Sequence, residues 1–406
     1  MKNYDVAVIG AGPAGSMAAI RSAQLNKKTV LIEKNSFLGK KLLLTGKGRC
    51  NLTNISPIED LVKKFGSQGH FLKRAFFEFS NRDLINFFET KGLKLITERQ
   101  GRVFPATDKS SSVVALLSDE LLNSGVDILY NTTLKDMKKD ISSFMLNLDG
   151  KGSLAVGKIV LSTGGISYKE TGSTGDGFRI TRKLGHKITP LTPGLVPLRA
   201  KEPWVKKLQG LTLKNVTISY MDKKKIISSV GEVDFTFFGI SGALALDMSR
   251  DIIFALSRQK EVDLTIDLKP ALSFEQIERK LLNTFKGNNP SIKVLLKDML
   301  PNRLTETFIK LSGVNPDKRT NQMTRVERLS IVKLFKLLPL TINGALSVDS
   351  AMVTAGGIAT QDINPRTMES RIVPGLYFAG EIIDGCASSG GYNLQQAFST
   401  GFLAGS

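Results

Sequence analysis

The sequence predicts an α/β protein built on a Rossmann-like dinucleotide-binding domain, with β-rich and helical segments inserted into it. Three observations carry this. Residues Tyr4–Lys34, "YDVAVIGAGPAGSMAAIRSAQLNKKTVLIEK", order a strand, a glycine turn, a small-residue helix, a second strand and an acid. The same alternation returns near the C-terminus in "PGLYFAGEIID" and "SSGGYNLQQAFSTGFLAG". Between them the hydrophobic period changes first to two and then to that of amphipathic helices.

At the N-terminus, Val6–Ile9 reads as a buried strand running into Gly10-Ala11-Gly12-Pro13-Ala14-Gly15. Gly10 permits the tight turn, Gly12 lets the backbone approach a pyrophosphate, and Gly15 allows close helix–strand packing. Pro13 and Ala14 open the helix, whose free N–H groups suit an anion. Glu33 closes the second strand 18 residues after Gly15, where it can accept hydrogen bonds from adenosine ribose hydroxyls, with Lys34 beside it. An acid there favours FAD or NAD over NADP.

The next segment, "GKKLLLTGKGRCNLTN" (residues 39–54), packs Gly, Lys and Arg around one of the two cysteines. It is expected to extend the cofactor cradle through Lys40, Gly46, Gly48, Arg49 and Asn51. Helical periodicity follows in Leu61–Lys91 and Ser111–Ser124, with strand-like "LKLIT", "VDILYN" and "SFMLNL". "GKIVLSTGG" (157–165) is a buried strand ending in Thr163-Gly164-Gly165, as expected where the chain crosses near the dinucleotide. "PLTPGLVPL" (190–198) marks a boundary. Beyond it, "LTLKNVTISYMDKKKIISSVGEVDFTF" alternates with β period, with a hairpin turn at Lys223–Lys225. "SFEQIERKLLNTF", "SIKVLLKDML" and "VERLSIVKLFKLL" read as amphipathic helices.

From about Leu340 the α/β punctuation resumes. The strand of "PGLYFAGEIID" ends in Gly380-Glu381; in two-dinucleotide-binding-domain flavoproteins such an acid holds the flavin ribityl hydroxyls. Gly391 then turns the chain into a helix near Asn393 and Leu394, whose N-terminus can stabilise negative charge on the flavin pyrimidine edge. FAD is therefore the cofactor expected.

The chain has 406 residues, long for one domain, and 41% are hydrophobic. No apolar run approaches the ~18–20 residues of a bilayer span, and "YDVAVIG" begins too early for a signal peptide, so a cytoplasmic protein with no membrane partner is expected. Two cysteines and two histidines argue against a disulfide framework or a Cys/His metal site. The charge is unusual: 56 Lys and Arg against 37 Asp and Glu give +19, and the pI is near 9.8. Such an excess suits polyanions, although a Lys-rich composition produces the same number with no polyanion substrate. Arg319, Arg325, Arg328, Lys333 and Lys336 mark one helical region as a basic stripe or a solvated face.

Six segments are the basis of a family resemblance: "GAGPAG", "GKKLLLTGKGRCNLTN", "GRVFPATDKSSSVVALL", "LSTGGISYKETGSTGDGFRI", "LPLTINGALSVDSAMVTAGGIA" and "GLYFAGEIIDGCASSGGYNLQQAFSTG". In this order, over essentially the whole chain, they resemble the BaiN/RdsA-type flavoproteins, which include proteins called aminoacetone oxidases and a ribosomal-RNA dihydrouridine synthase. The resemblance implies a two-dinucleotide-binding-domain FAD fold made from both ends of the chain (1–190 and 340–406). An inserted β-barrel-like domain (191–270) and a helical subdomain (271–339) would lie between. Lys47 departs from the family's Gly-rich turn, where a third small residue is expected.

No second glycine–acid unit is present, so NAD(P)H is expected only as a transient electron donor. For uracil reduction, hydride would reach C6 and an acid would protonate C5. Cys50 is the candidate acid, since a thiol of pKa ~8.5 is mostly protonated at neutral pH. Neighbouring Arg49 could instead favour a thiolate; Cys386 is a weaker candidate. The resemblance and the charge together lead to an FAD-dependent reductase making dihydrouridine in 23S rRNA. The alternatives are a flavin oxidase or reductase of a small aminoketone or enone, and a noncatalytic FAD-bearing RNA-binding protein.

Overall fold

A computed structural model describes residues 4–285 and 289–406. Following the chain, β1 (Tyr4–Ile9) leads through the glycine turn into α1 (Pro13–Gln24) and β2 (Thr29–Ile32). The cysteine loop starts as a 3-10 turn at Leu42, is broken by non-helical backbone at Thr45, Gly46 and Lys47, and leads to β3 (Thr53–Asn54). The single helical run expected over Leu61–Lys91 is three helices: α2 (Ile58–Lys64), α3 (Gly69–Glu78) and α4 (Asn81–Thr90). The breaks have local causes. Gly66 turns left-handed at φ +56°, and Ser80 starts α4 with a reciprocal capping box to Asp83. Next come β4 (Leu95–Thr97), β5 (Arg102–Pro105) and α5 (Ser110–Asn123). They are followed by β6 (Asp127–Leu129), β7 (Leu134–Lys139), β8 (Phe144–Leu148), β9 (Gly152–Leu161), α6 (Asp176–Lys183) and β10 (Thr192–Gly194).

The inserted segment carries β11 (Leu198–Ala200), β12 (Thr212–Met221), β13 (Lys225–Ile227), β14 (Gly231–Phe235) and β15 (Gly239–Ser241). Then follow α7 (Gly242–Leu256), β16 (Val262–Asp267), α8 (Phe274–Phe285), α9 (Ile292–Met299), α10 (Asn302–Ser312), α11 (Arg325–Lys336) and β17 (Leu338–Ala345). Finally β18 (Val353–Ala355), β19 (Leu376–Phe378) and α12 (Tyr392–Gly405) return to the first unit. Two of these helices, α7 and α10, have no counterpart in the sequence expectations.

The chain divides into two compact units, 1–194 with 348–406, and 195–347. In the first, the main sheet runs β6-β2-β1-β9-β8-β7, with β19 also on β9. The length of β9 explains this arrangement. Its first half pairs antiparallel with β8, and its last three residues pair parallel with β19 on the same edge. Strands β6, β2, β1, β9 and β19 are parallel, and their buried runs (TVLI in β2 is buried throughout) mark a sheet covered on both faces. On one face, α12 lies against α1 through glycines: a Cβ on Gly401 would sit 2.2 Å from Ala14 O, and one on Gly405 2.4 Å from Ala18 O.

In the second unit the strands follow the order β13-β12-β14-β15-β11-β17-β16, and an additional β12–β16 pairing closes the ring. The inserted β-rich segment is thus a closed barrel, which leaves no long edge. Its inward residues Ile218, Tyr220, Leu264, Ile266, Leu340 and Ile342 share one core with the helices, where Phe308 and Phe335 meet at 4.8 Å. The segments expected as barrel (191–270) and helical subdomain (271–339) pack around one shared hydrophobic core. β17 carries the chain past Leu340 as a barrel strand, so the return comes at Val348.

Candidate functional site

All elements of the site belong to the first unit, at the carboxyl ends of its parallel strands. β1 has β2 on one side and β9 on the other, the point at which open α/β sheets bind ligands. Gly10 follows β1 at φ +98°, and its Cβ would meet Ser162 O at 2.7 Å. Gly15 is more constrained: a Cβ there would sit 1.8 Å from Gly10 O. Gly12 N-caps α1, and the space where its side chain would lie holds nothing within 4 Å. Pro13 and Ala14 open the first turn, which has no acid and no side-chain cap, so the N–H groups that follow Pro13 have no side-chain acceptor within the helix start.

Glu33 emerges from β2 almost buried. Its carboxylate accepts from Ala11 N at 2.7 Å, Asn35 N at 2.8 Å and Asn35 Nδ2 at 2.7 Å. With about four lone-pair sites per carboxylate, roughly one remains for a ribose hydroxyl. Lys34 points to Asp176 (2.7 Å) and Thr174 (2.6 Å), pinning the N-terminus of α6.

At the end of β9, Gly164 and Gly165 allow close approach: a Cβ on Gly165 would meet Thr354 Oγ1 at 2.1 Å. The Thr163 hydroxyl is buried without a partner beneath Gly177. After β19, Gly380 adopts φ +76° against Ala14, and its N–H donates to Thr400 Oγ1 at 2.9 Å. Glu381 then accepts from Lys41 Nζ (2.8 Å), Ser167 Oγ (3.2 Å) and Thr354 N (2.7 Å). Lys41 and Glu381 stand 340 positions apart in sequence. Lys40, the lysine expected at the cofactor, is half-buried next to this pair.

The N-terminus of α12 is likewise uncapped and free of acids in its first turn, with Gly391 at φ +95°. A Cβ on Gly391 would lie 2.4 Å from Thr53 O. With its amide nitrogen and oxygen exchanged, the orientation that satisfies both atoms, Asn51 joins the two segments, donating to Thr53 O at 3.2 Å and accepting from Gly391 N at 3.1 Å. The Asn393 side chain folds back on the preceding loop, accepting from Ala387 N (2.9 Å) and donating to Ala387 O (3.1 Å). Asn393 and Leu394 thus lie in the first turn of α12. Because Gly401 touches Ala14 and Gly405 touches Ala18, the two helices run parallel and the start of α12 overhangs the start of α1 by eight residues, ~12 Å along the axis. Two positive helix ends at that spacing suit an extended dinucleotide with one pole at each.

The cysteine loop departs most from expectation. Gly46, Lys47, Gly48 and Cys50 all have positive φ, at +58°, +59°, +87° and +62°. This accounts for the small residue expected at Lys47: the left-handed backbone costs an L side chain about 1 kcal/mol. Arg49 does not face the Cys50 thiol. It pairs with Glu98 at 2.6 Å and with Asp108, and lies 4.3 Å over the Phe104 ring. Cys50 itself is fully buried, and burial pushes its thiol up to about 12 despite a hydrogen bond to Thr45. It has no exposed surface from which to hand a proton directly to a substrate. Cys386, in contrast, is only half-buried.

Sequence reasoning named Lys41 among the lysines that could extend the cradle but missed Ser167 and Thr354, which with it surround Glu381. Their only local signal is that each lies in a segment quoted for the family resemblance. A shallow hollow of about 440 Å³, lined by His70, Phe71, Thr360 and Arg371 among others, contains none of the nucleotide-motif glycines. Those glycines lie instead at the carboxyl ends of the parallel strands. His186 is structural: Nδ1 faces Thr181 O (3.2 Å) and Nε2 faces Ser370 Oγ (2.7 Å).

These features define the FAD-binding form of the Rossmann fold. The open space at Gly12, the two uncapped helix ends and the glycine contacts fit such a dinucleotide. Comparison with known proteins agrees. Residues 4–406 match the HI0933-like protein Rossmann domain family, and the chain belongs to it. It is 31% identical to the 3-dehydro-bile acid delta(4,6)-reductase of Clostridium scindens, covering 98% of both chains. It is 30% identical to the ribosomal RNA dihydrouridine synthase of Escherichia coli, covering 98% of this chain and 96% of that one. The solved 3-ketosteroid delta1-dehydrogenase from Sterolibacterium denitrificans shares the fold with a TM-score of 0.57 at 12% identity, covering 100% and 99%. The protein is an oxidoreductase.

Proposed function

We propose that this protein is an FAD-dependent reductase that uses NAD(P)H to convert a uridine of 23S rRNA to dihydrouridine. The observation that carries the reading is the +19 charge of a chain that aligns end to end with a ribosomal RNA dihydrouridine synthase. A polyanionic substrate gives such an excess a purpose. When bound, FAD supplies hydride chemistry, taking a hydride from the nicotinamide and delivering it to an electron-poor alkene carbon. The chain's own residues hold and orient it. The α1 N-terminus and Gly10–Gly15 receive the pyrophosphate, Glu33 a ribose, and Glu381 with Lys41 the polyol. The N–H groups at the start of α12 accommodate negative charge on the ring. A direct proton donor to the second carbon needs exposed surface, which Cys50 lacks.

A second reading has its own support. The Clostridium scindens relative, named as a bile acid reductase, aligns equally well, so an enone-type small molecule would be the hydride acceptor. The two are separated by deleting the gene and mapping dihydrouridine in rRNA, with purified protein assayed in parallel on rRNA and on a steroid enone. Loss of one dihydrouridine, restored by the gene, is the expected result. Unchanged rRNA together with enone turnover would reject the rRNA reading.

A further inference from the structure

The basic stripe expected along α11 is partly engaged within the unit, leaving Arg325 and Lys333 exposed. Arg328 is bonded to Glu278 at 2.8 Å, and Lys336 to Asp267 at 2.6 Å and to the Leu272 carbonyl at 2.7 Å. The second unit nevertheless holds 25 Lys and Arg against 15 Asp and Glu, so unmatched charge must collect elsewhere. It does so where the 3-10 turn Pro203–Leu208 packs beside α10. Lys206 and Lys207 on that turn, Lys293 on α9, and Arg303 and Lys310 on α10 are all exposed. Arg303 lies 3.8 Å from the position a Gly210 Cβ would take, which fixes α10 against the turn. Arg303, Glu306 and Lys310 share one helix face.

Glu306 is the one acid in this cluster. It is bonded to Lys310 at 3.1 Å, and is held below the ordinary carboxylate range first by that bond and then by the charges of Lys310, Lys207 and Lys293. Lys207, Lys293 and Arg303 form no ion pair among the described residues. Beside them Phe237 is 58% exposed, with the Lys206 ammonium 4.9 Å over its ring. Five cations against one acid is self-repulsive in an isolated protein. A phosphodiester chain relieves that repulsion, and an exposed aromatic offers a stacking surface for an unpaired base.

We propose that this cluster on the inserted unit is a docking surface for single-stranded RNA, which holds the strand by its phosphates. The inference rests on the rRNA reading and assigns it a surface.

The test uses FAD-loaded full-length protein and a labelled single-stranded RNA of about 16 nucleotides, with anisotropy measured between 50 and 200 mM salt. Each phosphate contact on a single strand contributes about 0.7 to the slope of log affinity on log salt. The triple variant Lys207→Gln/Lys293→Gln/Arg303→Gln should therefore bind with a slope lower by about 2, losing about 20-fold less affinity over that range. Glu306→Gln should bind tighter than wild type. Flavin content and circular dichroism confirm that the variants fold. A wild-type slope in the triple variant overturns the docking surface while leaving the rRNA reading intact. No RNA binding by wild type rejects both, and binding to anionic phospholipid vesicles in preference to RNA makes a membrane the partner instead.

Discussion

Replacing Cys50 by alanine separates a catalytic thiol from a structural one. The residue has no exposed surface, and its thiol is pushed up to about 12, so at neutral pH it is a neutral, enclosed group. Alanine retains the Cβ, so the strain of the φ +62° backbone is unchanged. What is lost is one buried sulfur and its hydrogen bond to Thr45, about 1 kcal/mol by analogy with a buried methylene and its cavity. For a chain of this size that lowers Tm by about 2 °C. A general acid would weigh differently, since its removal costs about 10²–10⁴-fold in rate. The assay is anaerobic reoxidation of the reduced flavin by substrate, with Tm followed on the same preparations. We expect a rate within about twofold of wild type and the small Tm loss. A 100-fold slower reoxidation at full flavin loading and unchanged Tm would refute the assignment of Cys50 to the core.

Gly15→Ala places a methyl 1.8 Å from Gly10 O and 2.5 Å from Ser162 Oγ; purified protein should carry about tenfold less flavin, read from the absorbance ratio at the flavin and protein bands. His186 is buried and burial lowers its pKa, so the folded protein keeps it neutral while the unfolded chain protonates it below about pH 6.5. The unfolded state then binds more protons, and stability is full above pH 6.5 and falls as pH drops toward the depressed folded value. Urea midpoints should show this loss in wild type and a flatter profile in His186→Gln; identical profiles would remove His186 as the cause. Thr324 caps α11 in a reciprocal box with Glu327, so Thr324→Ala should destabilise the inserted unit by about 1 kcal/mol, measured by denaturant unfolding.

The glycine turn and its flanking strands were legible because their causes are local. Only Gly fits Gly10 at φ +98° or Gly15 against a carbonyl, and buried parallel strands appear as unbroken apolar runs. Both inserted segments were visible by their periods, and Pro190–Leu198 announced the boundary. What the sequence by itself determined is therefore the nucleotide-binding turn, the alternation of elements and the total charge. Tertiary structure decided the rest, because each item depends on residues far apart in the chain. β12 meets β16 to close the barrel, and Lys41 finds Glu381. Arg49 turns from its neighbour Cys50 to Glu98 and Asp108. Adjacency in sequence suggested that an arginine would tune a thiol. Packing instead buried the sulfur and sent the charge outward to its carboxylates, since an unpaired charge beside a dry core is too costly to keep.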